Sequence, residues 1–345
     1  MSAGAVIIGG FSGTELAPSL RQALLRQERA GVILFKRNIT SDIEQVAALN
    51  LSLASAMPSA LIAVDQEGGR VARLGAPFLK LPSARAVARR GDTALIARAA
   101  RAQAKQLRAL GFTLNFAPVL DIDSEATNPV IGDRAFASDP SAAARFGIAW
   151  GLALQSEGIL ACGKHYPGHG ATTVDSHLSL PMVNATRETL LTRELVPFRL
   201  ATALFSLMTA HVVYPALDPD FPATLSTKIA TDLLRNDIGY KGALISDDLE
   251  MKAITLDVES SSVLSIAAGC DLLLICSSEE LQHRAFDALK REGEKSPTFR
   301  ARLNEAARRS GALRGSAPPS SALSGPALHR AFGTDEAHAI EQAVS

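Results

Sequence analysis

Apolar residues along this chain fall into short, nearly continuous runs, separated by longer stretches where they recur at helical spacing. The short runs cover residues 5–9, 31–35, 61–65, 113–120, 160–165, 207–213, 243–247 and 271–276. A strand that reads as an unbroken apolar run is covered on both faces, as in a parallel sheet. The stretches between carry helix signals. Ser41-Asp-Ile-Glu44 predicts a capping box, and Ser277-Ser-Glu-Glu280 predicts another. Residues 93–110 form an Ala-, Leu- and Arg-rich helix stopped by Gly111. Asp139-Pro140 reads as an N-cap with proline at the first helical position, in a helix ending at Gly158. Ser226 predicts a cap for a helix reaching about Asn236.

Eight strand signals with helices between them predict a (β/α)8 barrel in a single domain, irregular in its first units. The rival is an open doubly wound sheet. Neither G-x-G-x-x-G nor G-x-x-x-x-G-K-[ST] follows an early strand, which weakens the nucleotide-binding form of that rival. The expected division is a catalytic barrel over 1–312, a Ser/Pro-rich linker over 313–326, and a tail or short helix over 327–345.

Composition removes several classes of function. Lys+Arg and Asp+Glu are 35 each, so the formal charge is zero and nucleic acid is not the expected partner. No apolar run reaches a membrane span, and no basic region precedes the apolar start as in a signal peptide. Cys162, Cys270 and Cys276 are too scattered for a disulfide framework or a cysteine zinc site, so a reducing bacterial cytoplasm is the expected location.

In a barrel, chemistry sits where strands end. Polar residues break the apolar runs there: Asp65, Asn115, Asp121, Lys164, His165, His211, Asp247 and Asp248. In Val64-Asp-Gln-Glu-Gly-Gly-Arg-Val-Ala-Arg73, two glycines permit a tight turn that returns charge to the mouth. Asp65 suits substrate hydroxyls and Arg73 an oxygen-rich ligand, whereas Glu67 and Arg70 read equally well as surface ion pairs. Arg134 in Gly132-Asp-Arg134 is a donor toward substrate or a partner of Asp133 or Asp139.

Lys164-His-Tyr-Pro-Gly-His-Gly170, followed by Asp175-Ser-His177, concentrates histidines, a lysine and an aspartate in one loop. Two chemistries fit it. One is a metal site; the other is an acid/base pair, Asp175 orienting His177. Gly168 and Gly170 precede the Asp-Ser-His element, and Lys164 adds a repelling cation, so no metal is expected. His169 reads as a loop anchor. In Ser246-Asp-Asp-Leu-Glu-Met251, adjacent strand residues should diverge, so that one of Asp247 and Asp248 faces the mouth as a candidate nucleophile and the other caps the next helix or supports it.

These segments, with Asn115-Phe-Ala-Pro-Val-Leu-Asp121-Ile and Thr209-Ala-His211, resemble family 3 of the glycoside hydrolases, and more closely its bacterial β-N-acetylglucosaminidase branch. The motifs run in the family's order across residues 31–280, with Tyr166 where many relatives have Phe. The resemblance implies Asp247 as nucleophile, His177 as acid/base and Asp175 as its partner. It implies that Asp65, Arg73, Arg134, Lys164, His165 and, less directly, His211 hold the terminal sugar. It further implies no cofactor, a monomer, and a muropeptide substrate of cell-wall recycling, N-acetylglucosaminyl-1,6-anhydro-N-acetylmuramic acid with or without peptide. The 5% aromatic content fits sugar recognition by hydrogen bonds. A phosphorylase on the same scaffold, a metal-dependent hydrolase using His165, His169, His177 and Asp247, and an inactive sugar-binding protein are the competing functions.

Overall fold

The structure is a computed structural model that describes residues 3–125, 127–172 and 180–344. Eight parallel strands close into a barrel in sequence order. They are β1 (Ile7–Gly10), β2 (Gly31–Leu34), β3 (Leu61–Val64), β4 (Leu114–Asn115), β5 (Leu160–Tyr166), β6 (Ser206–Thr209), β7 (Ala243–Asp248) and β8 (Leu272–Ile275). Alternate strand residues explain the unbroken apolar runs. Ile8, Ile33, Ala63, Cys162, Ile245 and Leu274 fill the barrel interior. Ile7, Val32, Ile62, Ala161, Leu244 and Leu273 point outward into a larger core shared with the helices. Both faces are dry, so both periodic positions must be apolar.

The barrel closes where β1 meets β8. Gly9 is needed at this seam, because an added Cβ would stand 2.2 Å from Gln282 Oε1. Gln282 donates from Nε2 to the Gly10 and Ile275 carbonyls, clipping the two strands together, and Arg29 donates back to its Oε1.

Most helix signals are realised, with local changes. Helix Pro140–Ser156 is capped by Asp139 with proline inside its first turn. Helix Thr93–Ala109 is capped by Asp92. The capping box expected at Ser41 is replaced by Asp42, which accepts from Glu44 N–H one residue later. Ser278, not Ser277, caps helix Glu279–Lys295. The expected strand 113–120 forms a continuous ladder only over Leu114–Asn115 and rejoins β5 at a single bridge, Val119 with Lys164. Pro118 has no N–H to donate, and Ala117 N–H turns back to Asn115 O instead of continuing the ladder.

The Ser/Pro-rich stretch after helix Pro297–Gly315 is packed rather than free. Ser320 Oγ donates to Gly111 O, and Leu323 N–H to Ala109 O. Beyond it, helices Gly325–Arg330 and Asp335–Val344 bury Leu328, Phe332, Ile340 and Val344 against the barrel's flank. No helix among the described residues is long and apolar enough to cross a membrane.

At the end away from the strands' C-termini, Asp271 opens β8 fully buried. It accepts from Arg235 (2.6 Å), Arg302 (2.8 Å), Arg309 (3.4 Å) and Leu244 N–H (3.0 Å). Asp271→Ala strands these guanidinium groups against each other. It should destabilise the fold by about 3–5 kcal/mol in urea unfolding, the cost of breaking a buried ion pair from one side. The folded fraction should keep the geometry of the barrel mouth, since Asp271 is remote from it.

Candidate active site

The ends of β2, β3, β5, β7 and β8 surround a cavity of about 210 Å³. That is below the roughly 300–1,000 Å³ of sites for drug-sized ligands and suits a single sugar ring. Asp65, Glu67, Arg73, Arg134, Lys164, His165, His169, Asp247 and Asp248 line it with Phe35, Phe116 and Met251.

One wall is a chain of charges. Arg73 contacts Asp65 Oδ2 at 3.2 Å, and Lys164 Nζ lies 2.8 Å from Asp65 Oδ1 and 2.7 Å from Glu67 Oε1. Arg134 grips Glu67 with two bonds, 2.9 Å and 2.8 Å. Lys164 and Glu67 side chains are only 3% and 7% exposed, so Glu67 is not the solvated surface partner that was one of its two readings. Burial pushes the Glu67 carboxyl upward, but Arg134 and Lys164 outweigh it and hold it well below the usual range. Burial likewise opposes the Lys164 charge, and Asp65 and Glu67 raise it above its ordinary value. Arg134 therefore serves Glu67, while Asp133 pairs with Arg70 and Asp139 caps a helix. Arg73 Nε is buried and finds no acceptor among the described residues, leaving a donor for a ligand oxygen.

Backbone anchors hold this wall in place. Asn115 accepts from Gln66 N–H and donates to Gln66 O. Gln66 Oε1 then accepts from the N–H groups of Arg73 and Leu74, fixing the turn that presents Arg73. Asp121 does the same for the histidine strand. It accepts from His165 N–H, His169 N–H and His165 Nδ1, the last at 2.6 Å. Burial raises the Asp121 carboxyl, and the facing His165 more than compensates, so it stays below its usual value. Burial and the neighbouring His165 push His169 down to about 4, so at neutral pH it is an uncharged ring. Its Nδ1 meets Thr172 Oγ1 at 2.8 Å, and Asn128 holds the His169 and Gly170 carbonyls. This matches its reading as a loop anchor, although its ring also reaches the cavity.

The opposite wall carries the paired aspartates. The expected divergence of Asp247 and Asp248 is corrected here: both line the cavity. Ile245 pairs with Leu272, but Asp248 pairs with Leu274, so β7 spends one extra residue at this point. Such a bulge cancels the alternation that would send neighbours to opposite faces. Asp247 Oδ1 accepts from Asp248 N–H at 2.8 Å. Burial pushes Asp247 up, but His211, His165, that N–H and Lys164 prevail and keep it ionised below the usual range. Asp248 goes the other way. Burial, with the charges of Glu250 and Asp247, pushes it up to about 7, although it accepts from Glu250 and Cys276 N–H groups.

His211 stands apart from the other residues expected to touch sugar. It does not line the cavity; it is buried behind the aspartates, with Nδ1 2.7 Å from Thr224 Oγ1 and Nε2 2.9 Å from Asp248 O. Of the groups around Asp247, it contributes most to holding that carboxyl below the usual range. Asp175 and His177 lie outside the described residues. Among the described residues, no group of three His, Cys, Asp or Glu side chains could hold a metal ion. Glu67 and Asp121 are the site residues that the sequence signalled least clearly. Both lie inside the quoted motifs, and only their contacts reveal what they hold.

The pattern of the glycosyl hydrolase family 3 N terminal domain matches residues 11–311. A β-hexosaminidase of Pseudomonas aeruginosa is 40% identical over 285 residues, 81% of this chain and 85% of its own length. One from Alkalilimnicola ehrlichii is 41% identical over 282 residues, 79% and 80% of the two chains. A family 3 β-N-acetylglucosaminidase from Paenibacillus sp. str. FPU-7 superposes with a TM-score of 0.91 at 36% identity, covering 99% of this chain and 67% of its own. NagZ from Neisseria gonorrhoeae, solved with N-trifluoroacetyl-D-glucosamine, gives 0.82 at 31% identity, covering 99% and 97%.

Two variants test the electrostatics. Glu67→Ala leaves Arg134 and Lys164 facing each other in a dry wall. It should cost about 3–5 kcal/mol of stability and raise the inhibition constant of free N-acetylglucosamine, read by thermal unfolding and competition kinetics. For Asp248, the folded carboxyl titrates near 7 against an ordinary value of about 3.9. The native state therefore binds the extra proton between about pH 4 and pH 7, and the wild type loses stability across that window as pH rises. Asp248→Asn keeps both accepted N–H bonds and removes the titration. Its melting temperature relative to wild type should be higher at pH 8 than at pH 4, by an amount corresponding to at most about 4 kcal/mol. An equal difference at both pH values would refute this assignment.

Proposed function

The chain belongs to glycosyl hydrolase family 3 and is a β-N-acetylhexosaminidase, and from that premise we propose that it is a retaining exo-hydrolase using Asp247 as nucleophile. The observation that carries this reading is a one-sugar cavity with an ionised aspartate on one wall and a paired charge cluster on the other. Sugar hydroxyls both donate and accept. Asp65 and Glu67 can accept from them, while Lys164, Arg73 and Arg134 donate. His165, oriented by Asp121, adds a ring nitrogen to the same wall. Pinning the sugar's far hydroxyls there presents its anomeric carbon to Asp247.

The reaction then runs as two displacements. Asp247 forms a bond to the anomeric carbon as the bond to the leaving oxygen breaks, and the acid/base residue protonates that oxygen. The same residue then takes a proton from water, which attacks the ester, frees Asp247 and yields the β-anomer. Asp175 and His177 fill the acid/base positions by their family motif. Asp248, whose carboxyl is pushed up to about 7, shares its charge with a proton near neutrality, while Asp247 stays ionised. The proposed substrate is a non-reducing-end N-acetylglucosamine on a muropeptide, N-acetylglucosaminyl-1,6-anhydro-N-acetylmuramic acid with or without peptide. A relative bound to an N-acylated glucosamine supports the sugar. The proposal extends to a monomeric enzyme of the bacterial cytoplasm that needs no metal.

A slow 5-fluoro N-acetylglucosaminide should leave its sugar mass on the peptide containing Asp247, and the first-formed product should be β. Products should be unchanged by added phosphate, and activity should survive a chelator. An α-configured first product, or inactivation with no labelled residue, contradicts the ester. His177→Ala should lose roughly 10²–10⁴-fold on a sugar leaving group and much less on an activated phenol. Equal losses on both substrates would remove His177 from the acid/base role.

A further inference from the structure

Four guanidinium groups at the barrel mouth, on Arg70, Arg73, Arg85 and Arg134, each have a carboxylate partner. Arg37 does not. Its Nε donates to Phe11 O at 2.8 Å, and Nη2 donates to Cys276 O. Its guanidinium stacks on Phe35, 4.6 Å from the ring centre. Phe35 and Cys276 both line the cavity, so this charge sits on the cavity's rim. The stack has room because residue 10 is glycine. A Cβ there would stand 2.9 Å from Arg37 Nη2 and 1.8 Å from Cys276 O. Neighbouring Lys36 is also exposed and makes no ion pair among the described residues.

The position of Arg37 relative to the bond being cleaved gives it meaning. If the sugar is held as proposed above, its far hydroxyls lie at the ends of β3 and β5 and its anomeric carbon over Asp247 at the end of β7. The leaving group then continues past β7, over the ends of β8 and β1. The two carbonyls holding Arg37 are at those ends. A guanidinium offers five N–H donors in a planar fork. Two are used here, and the remainder are oriented by the stack and the carbonyls rather than searching for a geometry.

We propose that Arg37 reads a carboxylate on the leaving group, so that the enzyme selects acidic over neutral aglycones. This rests on the function proposed above and adds a specificity residue to it. The contact is a rim contact, so it acts mainly through binding and weakens with salt.

The test compares N-acetylglucosaminyl-N-acetylmuramic acid with its methyl ester, alongside the neutral 4-nitrophenyl β-N-acetylglucosaminide. Wild type should favour the acid by about 5–10-fold in kcat/KM, mostly through KM, as expected for one charge-assisted hydrogen bond. That preference should shrink between 50 mM and 500 mM salt. Arg37→Gln should bring acid and ester within twofold while leaving the nitrophenyl substrate within twofold of wild type. Arg37→Lys, keeping charge but losing the fork, should fall between them. A wild type indifferent to the charge overturns the proposal without any variant, as does an Arg37→Gln enzyme that still prefers the acid. Failure of wild type to cleave the nitrophenyl substrate would instead overturn the function on which the proposal rests.

Discussion

Three cations and two anions on β5 and on the loops after β3 and β4 share one wall of the cavity, and the buried pair at its centre, Lys164 and Glu67, cannot lose either member without stranding the other. Arg73, Lys164 and Arg134 carry one positive charge more than Asp65 and Glu67 balance. Ionised Asp247 on the facing wall completes neutrality across the cavity, and Lys164 is among the groups that keep it ionised. Binding and reactivity are thus not separate designs. The surplus charge that makes the wall a good host for hydroxyls also helps maintain the carboxylate opposite. Placing a neutral ring between the walls displaces water without breaking that balance, and low dielectric then strengthens each remaining contact.

Such a wall needs a rigid frame, and the frame is made of polar side chains that bond the backbone. Asn115, Gln66, Asp121 and Asn128 spend their hydrogen bonds on main-chain groups of the mouth loops. These residues rank among the most buried polar groups of the molecule. Each converts an irregular loop, which has no ladder of its own, into a fixed platform for a neighbouring charged side chain. Asp121 shows the economy of this: one carboxylate sets two histidine backbones and one imidazole.

The barrel was legible in the sequence because burial of both strand faces writes itself as continuous apolar runs. Residues 116–120 misled for the same reason. Phe116 and Leu120 are buried outside the ladder and Val119 pairs with β5 by a single bridge to Lys164, since apolarity reports burial, not continuous pairing. Asp65, Arg73, Lys164 and His165 were legible because charge at the end of an apolar run is costly unless used. Glu67 was ambiguous, since its partner Arg134 is 67 positions away and only the fold brings them together. The bulge in β7 left no mark in Ser246-Asp-Asp, because nothing in those residue types announces an extra residue. The last two helices were obscure because a few anchors, Leu328, Phe332, Ile340 and Val344, carry their burial without a sustained stripe.

The β1–β8 seam has a consequence for the order of assembly. Its ladder joins Ile7 to Leu273, the most distant pairing in the barrel, and Gln282 clips it from a helix later still. Closing so long a loop costs more chain entropy than any pairing of neighbouring strands, so the seam should be the final stage of folding. The carbonyls that hold Arg37 lie on the two sides of that seam. A half-formed barrel would therefore possess the charged wall by β3 and β5 before it possessed the rim beyond β7. The selectivity proposed for Arg37 would then be the last property the nascent chain acquires, and the first surrendered if the seam opens.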